Sequence, residues 1–339
     1  MKADATASLE RHKKRFIYTI LFFSTASIAA FLLEVIIGPG RLGVSEALHA
    51  FFHREGTAYN IVWNIRIPRA TAAVETGVIL GLSGLILQVA LKNPLAEPYL
   101  LGVSGGASLG VMASLALFPS LGYLWMNIAG FIGALVAIAA VLVIGEMTGY
   151  SVYAVILAGV AMSALTASLS IIIYLTMLSA HRFSMLWLYG TLSLIGWREL
   201  PVITLAAIVV AGYTWLLRGH INILLLGDEQ AASMGVDPST ARRSLILVSA
   251  AATALLTSYA GPIGFIGLMS PHISRLLVGS ETGRMVAATI PVSVFLTTVS
   301  DLMARTLVPQ GGEAPLGAMT ALLGVPFFMY LVTRRYGEA

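Results

Sequence analysis

Between Glu97 and Glu146 the chain runs for 48 residues, 98 to 145, without one Asp, Glu, Lys or Arg. Crossing about 30 Å of hydrocarbon at about 1.5 Å per residue takes roughly 20 residues, so this run is too long for one span and suits two. Phe118-Pro119-Ser120-Leu121-Gly122 interrupts it near the middle with turn-forming residues, which predicts a helical hairpin inside a membrane. The rest of the chain agrees with that solvent. It is 58% hydrophobic and 11% charged, with a mean hydropathy of +0.87, whereas a soluble domain is about 25% charged.

The same reading along all 339 residues predicts spans at 16–37, 69–91, 99–118, 122–145, 152–178, 200–217, 243–260, 261–278, 284–307 and 316–333. The expected fold is an all-α polytopic membrane protein of about ten transmembrane helices. A single membrane domain, 16–333, lies between an N-terminal segment, 1–15, and a short tail, 334–339. The first apolar run, Phe16 to about Ile37, exceeds the 7–15 residues of a signal-peptide core and reads as a retained first span. Gly261-Pro262 divides 243–278 into two spans, which keeps the basic residues Arg242, Arg243 and Arg275 on one side.

With the N-terminus inside the cell, inner segments hold 13 of the 20 Lys and Arg residues. The positive-inside bias therefore predicts both termini in the cytoplasm. These cations stand at the ends of apolar runs rather than in one patch, so the net charge of +4 speaks for topology and against nucleic acid. Trp63, Trp125, Trp187 and Trp197 fall near outer span ends and Trp215 near an inner one, as in an interfacial aromatic belt. The absence of cysteine excludes disulfides and thiolate chemistry.

Ionisable groups inside spans are costly unless partnered, and Glu75 and Asp301 are the candidates. Glu75 is expected to snorkel to the outer interface, and Asp301 to pair with Arg305 four residues on. So few buried charges argue against an ion-coupled carrier, which stands as the alternative class. No Gly-x-x-x-x-Gly-Lys-Ser/Thr loop exists, so ATP would have to be held by a partner. His49 and His53 have metal-compatible i,i+4 spacing, but an amphipathic loop helix explains them more simply, and no metal or other cofactor is expected.

Small residues at Gly77, Gly81, Gly102, Gly106 and Gly110 predict close helix packing in lipid. Ser163, Thr166, Ser170, Tyr174 and Met177 share one face of the fifth span. That stripe either lines a wet pathway or bonds carbonyls one turn back. In the long inner loop, 219–242, Gly227-Asp228-Glu229 opens a short helix, Gly235 ends it, and Asp237-Pro238 caps the next. An ordered inner helix of this kind suits docking to a partner or a rigid turn.

Several segments together resemble the FecCD-type permease family of ABC importers for iron chelates, haem and cobalamin. They are Arg66-Ile67-Pro68-Arg69, Asn93-Pro94-Leu95-Ala96-Glu97-Pro98, Leu101 to Ala107, Leu226-Gly227-Asp228-Glu229 with Gly235, and Gly261 to Arg275. Asp301 to Arg305 and Pro315 to Phe328 extend the likeness, which covers the chain from about residue 60. The resemblance implies the type II ABC importer permease fold and a homodimer with the pathway at its interface. It also implies two cytoplasmic ABC ATPase subunits, an extracytoplasmic substrate-binding protein, and residence in the cell membrane with no catalytic residue in this chain. By that likeness Gly227, Asp228, Glu229 and Gly235 would couple to the ATPase, and Arg66, Arg69 and Arg305 would meet the binding protein. Asn93, Pro94 and Leu95 would form the inner gate, and the fifth span would wall the pathway. Glu75, where the family is usually apolar, and the bulky 149–153 loop depart from the pattern.

Overall fold

A computed structural model describes residues 2–38, 42–53, 55–148, 152–176, 185–308 and 312–336. Helices α1 (Lys2–Ile36), α2 (Val44–His49) and α3 (Gly56–Ile61) precede a π-helical turn, Val62–Arg66, that runs into α4 (Ile67–Ala90). A short 3-10 turn, Pro98–Leu101, leads into α5 (Val103–Leu117) and then α6 (Tyr123–Met147). Next come α7 (Val152–Thr176), α8 (Met185–Leu188), α9 (Leu200–Leu216), α10 (Arg218–Leu226) and α11 (Asp228–Ser233). The chain closes with α12 (Pro238–Ala260), α13 (Ile266–Val278), α14 (Thr282–Thr306) and α15 (Leu316–Tyr336).

Every expected span falls on a helix, but the helices differ in reach. Among the described residues six are long and apolar enough to cross a membrane, or seven if α9 and α10, bent by 57°, form one broken span. The two halves of the uncharged run are α5 and α6, with the break at 118–122 as expected. At 15 and 13 residues, α5 and α13 span only about 20 Å each, less than the hydrocarbon thickness. Both start later than their sequence pattern suggests. Gly102 is left-handed (φ 82°) ahead of α5, and Gly261 to Phe265 are non-helical ahead of α13. Conversely, the helix expected at 69–91 begins at Gly56, because the π turn lets α3 and α4 continue as one 35-residue rod.

α4 is the central helix, with 20 of its 24 residues buried. A helix apolar on all sides has to be enclosed by others, and α4 packs on α9, α12, α13 and α14. Absent side chains permit these contacts. A Cβ at Gly84 would lie 1.9 Å from the Gly267 carbonyl oxygen on α13, and one at Gly77 would lie 2.7 Å from the Val294 Cα on α14. In the hairpin, Gly106 and Gly133 meet in the same way, with a Cβ at Gly106 placed 2.5 Å from the Gly133 oxygen. Small residues bring backbones together where lipid offers no hydrophobic drive.

Two ends of the bundle can now be told apart. α1 runs parallel to α14, registered by the Ser27 hydroxyl donating to the Pro291 carbonyl at 3.0 Å. The start of α1, the end of α4, α11, the start of α12 and the start of α14 share one end, called here the Asp228 end. The opposite end, named for Arg69, gathers the end of α1, the start of α4, the end of α14 and the segment 190–199. One aromatic expectation fails. Trp187 is fully buried, with its indole N–H donating to the Tyr259 carbonyl, so it anchors the core rather than an interface, whereas Trp125, Trp197 and Trp215 are half exposed.

Candidate functional site

At the Arg69 end the three arginines of the sequence pattern converge, but not on the surface. Arg66, Arg69 and Arg305 are 1%, 3% and 4% exposed. Arg66 closes the π turn and donates to the carbonyls of Val35, Ile36 and Gly38, satisfying the last turn of α1. Arg69 forks onto both oxygens of Asp301 at 3.0–3.2 Å and also donates to Glu313 (2.7 Å) and Ser193 (2.9 Å). Arg305 pairs with Asp301, as the i,i+4 spacing implied, and donates to the Glu34 carbonyl at 2.9 Å. The Glu34 carboxylate stands 3.9 Å from Arg305 and is wholly buried.

These contacts bury the three arginines that the family likeness assigns to the binding-protein face. Arg69 and Arg305 are paired and hydrogen bonded with Asp301 and Glu313, Arg66 is held by carbonyls alone, and Glu34 lies beside Arg305 without a hydrogen bond; together they clasp α1, α4, α14 and the segments before α9 and α15. Buried charges persist when each is paired and hydrogen bonded. Glu34 was missed as a span carboxylate although it lies inside the first apolar run, and Glu313 and Ser193 had no signal because they join from distant loops. The exposed cation at this end among the described residues is Arg198.

Glu75 also departs from expectation. It is 9% exposed, and its Oε1 accepts a hydrogen bond from Thr204 of α9. It does not snorkel, because α9 covers it and supplies a hydroxyl. His49, the last residue of α2, and His53 beyond its end stack their rings in parallel, 3.7 Å between centroids.

The middle of the chain holds a cleft of about 750 Å³. It is lined by Asn93, Leu95, Glu97 and Tyr99 before α5, by Ile156, Ser170 and Ile171 of α7, by Gly264 and Phe265 before α13, and by Ala318, Ala321 and Phe328 of α15. Its walls include the non-helical segments that shorten α5 and α13. Irregular backbone at membrane depth is tolerated where it lines such a cavity. Gly84, six residues before the end of α4, touches Gly267, so α13 begins roughly 9 Å inside the Asp228 end.

The expected gate residues Asn93, Pro94 and Leu95 stand at the cleft, or beside it in the case of Pro94, with the Leu95 N–H donating to Asn93 Oδ1 at 2.9 Å. The hydroxyl stripe contributes less than expected. Only Ser170 lines the cleft among Ser163, Thr166, Ser170 and Tyr174. Thr166 and Ser170 donate to carbonyls one turn back, and Thr166 lies against Gly105 of α5. Tyr174 packs against the cluster of Val111, Met112, Met126 and Trp187. Thr166 and Ser170 are thus satisfied by their own backbone, whereas the buried Ser163 hydroxyl has no hydrogen-bond partner. Met177 and the loop 149–151 lie outside the described residues.

At the Asp228 end, α11 forms as the residue pattern implied. Asp228 and Glu229 open it, Gly235 is left-handed (φ 82°), and Asp237 caps α12 by accepting from the amides of Ser239 and Thr240. Ala231 is buried while Asp228, Glu229 and Met234 are exposed, so the short helix stands proud of the bundle. Asp228 is bonded to Lys92 at 3.0 Å and to Arg242. Slight burial raises its carboxyl, but the hydrogen bond from Lys92 and the charges of Arg242 and Lys92 outweigh that and hold it below the usual aspartate range.

A bundle of membrane-length helices with a lateral cleft and an exposed short helix at one end has the build of a transport permease subunit. The FecCD transport family matches residues 26–334, and the chain belongs to that family. It is 35% identical to the cobalamin import system permease BtuC of Halobacterium salinarum over 82% of this chain and 75% of the relative. It is 34% identical to the hemin transport system permease HmuU of Yersinia pestis, covering 81% and 84%. With the iron(3+)-hydroxamate import permease FhuB of Bacillus subtilis it shares 32%, covering 89% and 79%. Among solved structures, an inward-facing metal-chelate type ABC transporter superposes with a TM-score of 0.80 at 23% identity, covering 93% of this chain and 98% of that one. That likeness supports the type II importer permease fold.

Proposed function

We propose that this chain is the membrane-spanning subunit of an ATP-driven importer that carries a ferric siderophore, haem or cobalamin by alternating access, with a ferric siderophore first among these. Two copies would face each other across the cleft, with two cytoplasmic ATPase subunits at the Asp228 end and an extracytoplasmic binding protein at the Arg69 end. Residues 16–333 would work as one permease domain with about ten membrane-associated helices.

The observation that carries this reading is the cleft. Within one chain it lies at the surface, because its lining residues Leu95, Tyr99, Ile171 and Tyr189 are exposed. A second copy applied to this face would close it into a pathway. Asn93, Pro94 and Leu95 would gate it, and α11, with Gly227, Asp228, Glu229 and Gly235, would seat in the ATPase. Orientation follows from charge. Lys13, Lys14, Arg15, Lys92, Arg218, Arg242, Arg243, Arg275 and Arg284 gather at the Asp228 end, and the positive-inside bias supports a cytoplasmic side there. Because Arg66, Arg69 and Arg305 are occupied internally, they would support the docking surface, and exposed groups such as Arg198 would make the contacts and steer the approach.

The test is uptake in cells lacking the gene, offered ferric siderophore, haem and cobalamin in parallel. Loss of one, restored by the intact gene, identifies the cargo. Unchanged uptake of all three overturns the assignment of cargo.

A further inference from the structure

We infer that residues 92–97 form a strap tying α11 to the turn that seats α13 and α15, with Glu97 as the positioning residue at its inner end. The inference rests on the importer reading and adds to it a residue role and a route from the ATPase contact to the cleft.

Two backbone observations mark the ends of the strap. Among the described residues the non-glycine positions with positive φ are Lys92 (46°) and Phe265 (68°). A side-chain-bearing residue in this region is strained and persists only where its surroundings hold it. Lys92 follows the end of α4, its N–H donating to the Val89 carbonyl at 3.1 Å, and its ammonium pairs with Asp228 of α11, 3.0 Å away. Phe265 is held by Glu97, whose Oε2 accepts the Phe265 N–H at 2.9 Å. The two strained positions are thus joined through one six-residue segment.

That segment is tied within itself. The Asn93 N–H donates to the Gln88 carbonyl, the Leu95 N–H to the Asn93 side chain, and the Ala96 N–H to the Asn93 carbonyl. At the far end, Phe265 begins α13, accepting from the amides of Leu268 and Met269. Its ring lies against α15, where a Cβ on Gly324 would come within 2.4 Å of it. Leu95 rides in the middle of the strap and lines the cleft. A displacement of α11 therefore reaches the gate and two walls of the cleft through contiguous bonded contacts.

Glu97 is 7% exposed, and its described role is to accept one backbone hydrogen bond. A glutamine keeps that acceptor, whereas alanine removes it. The chain has no cysteine, so Leu95→Cys gives a single reporter. In the complex with the ATPase, maleimide labelling of that reporter should change about tenfold between the nucleotide-free and nucleotide-trapped states, the scale of a biased two-state element. Adding Glu97→Gln should preserve the change, and Glu97→Ala should abolish it. A full change in the Ala variant, or equal loss in the Gln variant, overturns the positioning role. Should the Ala variant fail to assemble, Lys92→Gly decides, since glycine accepts the backbone geometry while deleting the ion pair: loss of the change supports the strap and an unaltered change overturns it. A wild-type permease that recruits no ATPase would sink the importer reading itself, an outcome distinct from an assembled complex in which the strap variants behave normally.

Discussion

Arg69 on α4 grips Asp301 on α14 with Nε and Nη2, all three contacts lying between 3.0 and 3.2 Å, in a setting where both side chains are buried. The same aspartate takes Arg305, so one carboxylate anchors two guanidinium groups. This geometry makes Arg69 and Arg305 a clasp between α4 and α14.

Replacing Arg69 with Met should therefore cost about 3–5 kcal/mol of stability, because it leaves a buried carboxylate short of its partner. Reversing Arg198 to Glu should shift stability by no more than about 0.5 kcal/mol while weakening association with the binding protein. Thermal unfolding of the purified protein and a pull-down separate the two. A wild-type melting curve for Arg69→Met would remove the clasp.

Two glycines should respond with opposite sign. Gly84→Ala drives a methyl group into the α13 backbone and should destabilise the bundle by about 1–3 kcal/mol or more. Gly219, in α10, has open space where a Cβ would go, and Gly219→Ala should be neutral or stabilising by about 0.4–1 kcal/mol. Melting temperatures of the two variants check this.

The pH response of α11 follows from the lowered Asp228 carboxyl. A carboxylate depressed in the folded state contributes fully above its ordinary value of about 3.9 and loses that contribution as pH falls through the lower folded value. Amide exchange in α11 should therefore show no loss of protection attributable to Asp228 between pH 8 and pH 5. Asp228→Asn should speed that exchange at pH 7 by removing the charge that Lys92 and Arg242 hold. A loss of wild-type protection between pH 7 and pH 5 would contradict the assignment.

Glu75→Gln tests whether the span carboxylate carries protons. The amide oxygen can still accept from Thr204, so ATP-driven uptake should stay within about twofold of wild type. Collapse of uptake with intact assembly would reveal a proton step.

The helical architecture was legible because uncharged length reports membrane solvent directly, and the 118–122 break and the α11 boundaries were written in turn and capping residues. The starts of α5 and α13 were not. Their apolar patterns continue through 98–102 and 261–265, while Pro98, a left-handed Gly102 and the Glu97–Phe265 bond halt the helix there. The arginines were legible as a set, but not their burial, since Glu34, Ser193 and Glu313 reach them only through tertiary contact. For the same reason the hydroxyl stripe on α7 left two readings open. Only the position of Gly105 on α5 shows that Thr166 faces a neighbouring helix.

The most direct measurement is uptake into proteoliposomes holding this permease with its ATPase partner, supplied with binding protein and labelled ferric siderophore, haem or cobalamin. Uptake of one cargo that requires internal or external ATP on the ATPase side, and that survives ionophores dissipating every ion gradient, is the expected result. Uptake driven by an imposed ion gradient without ATP would contradict the importer and establish a secondary carrier.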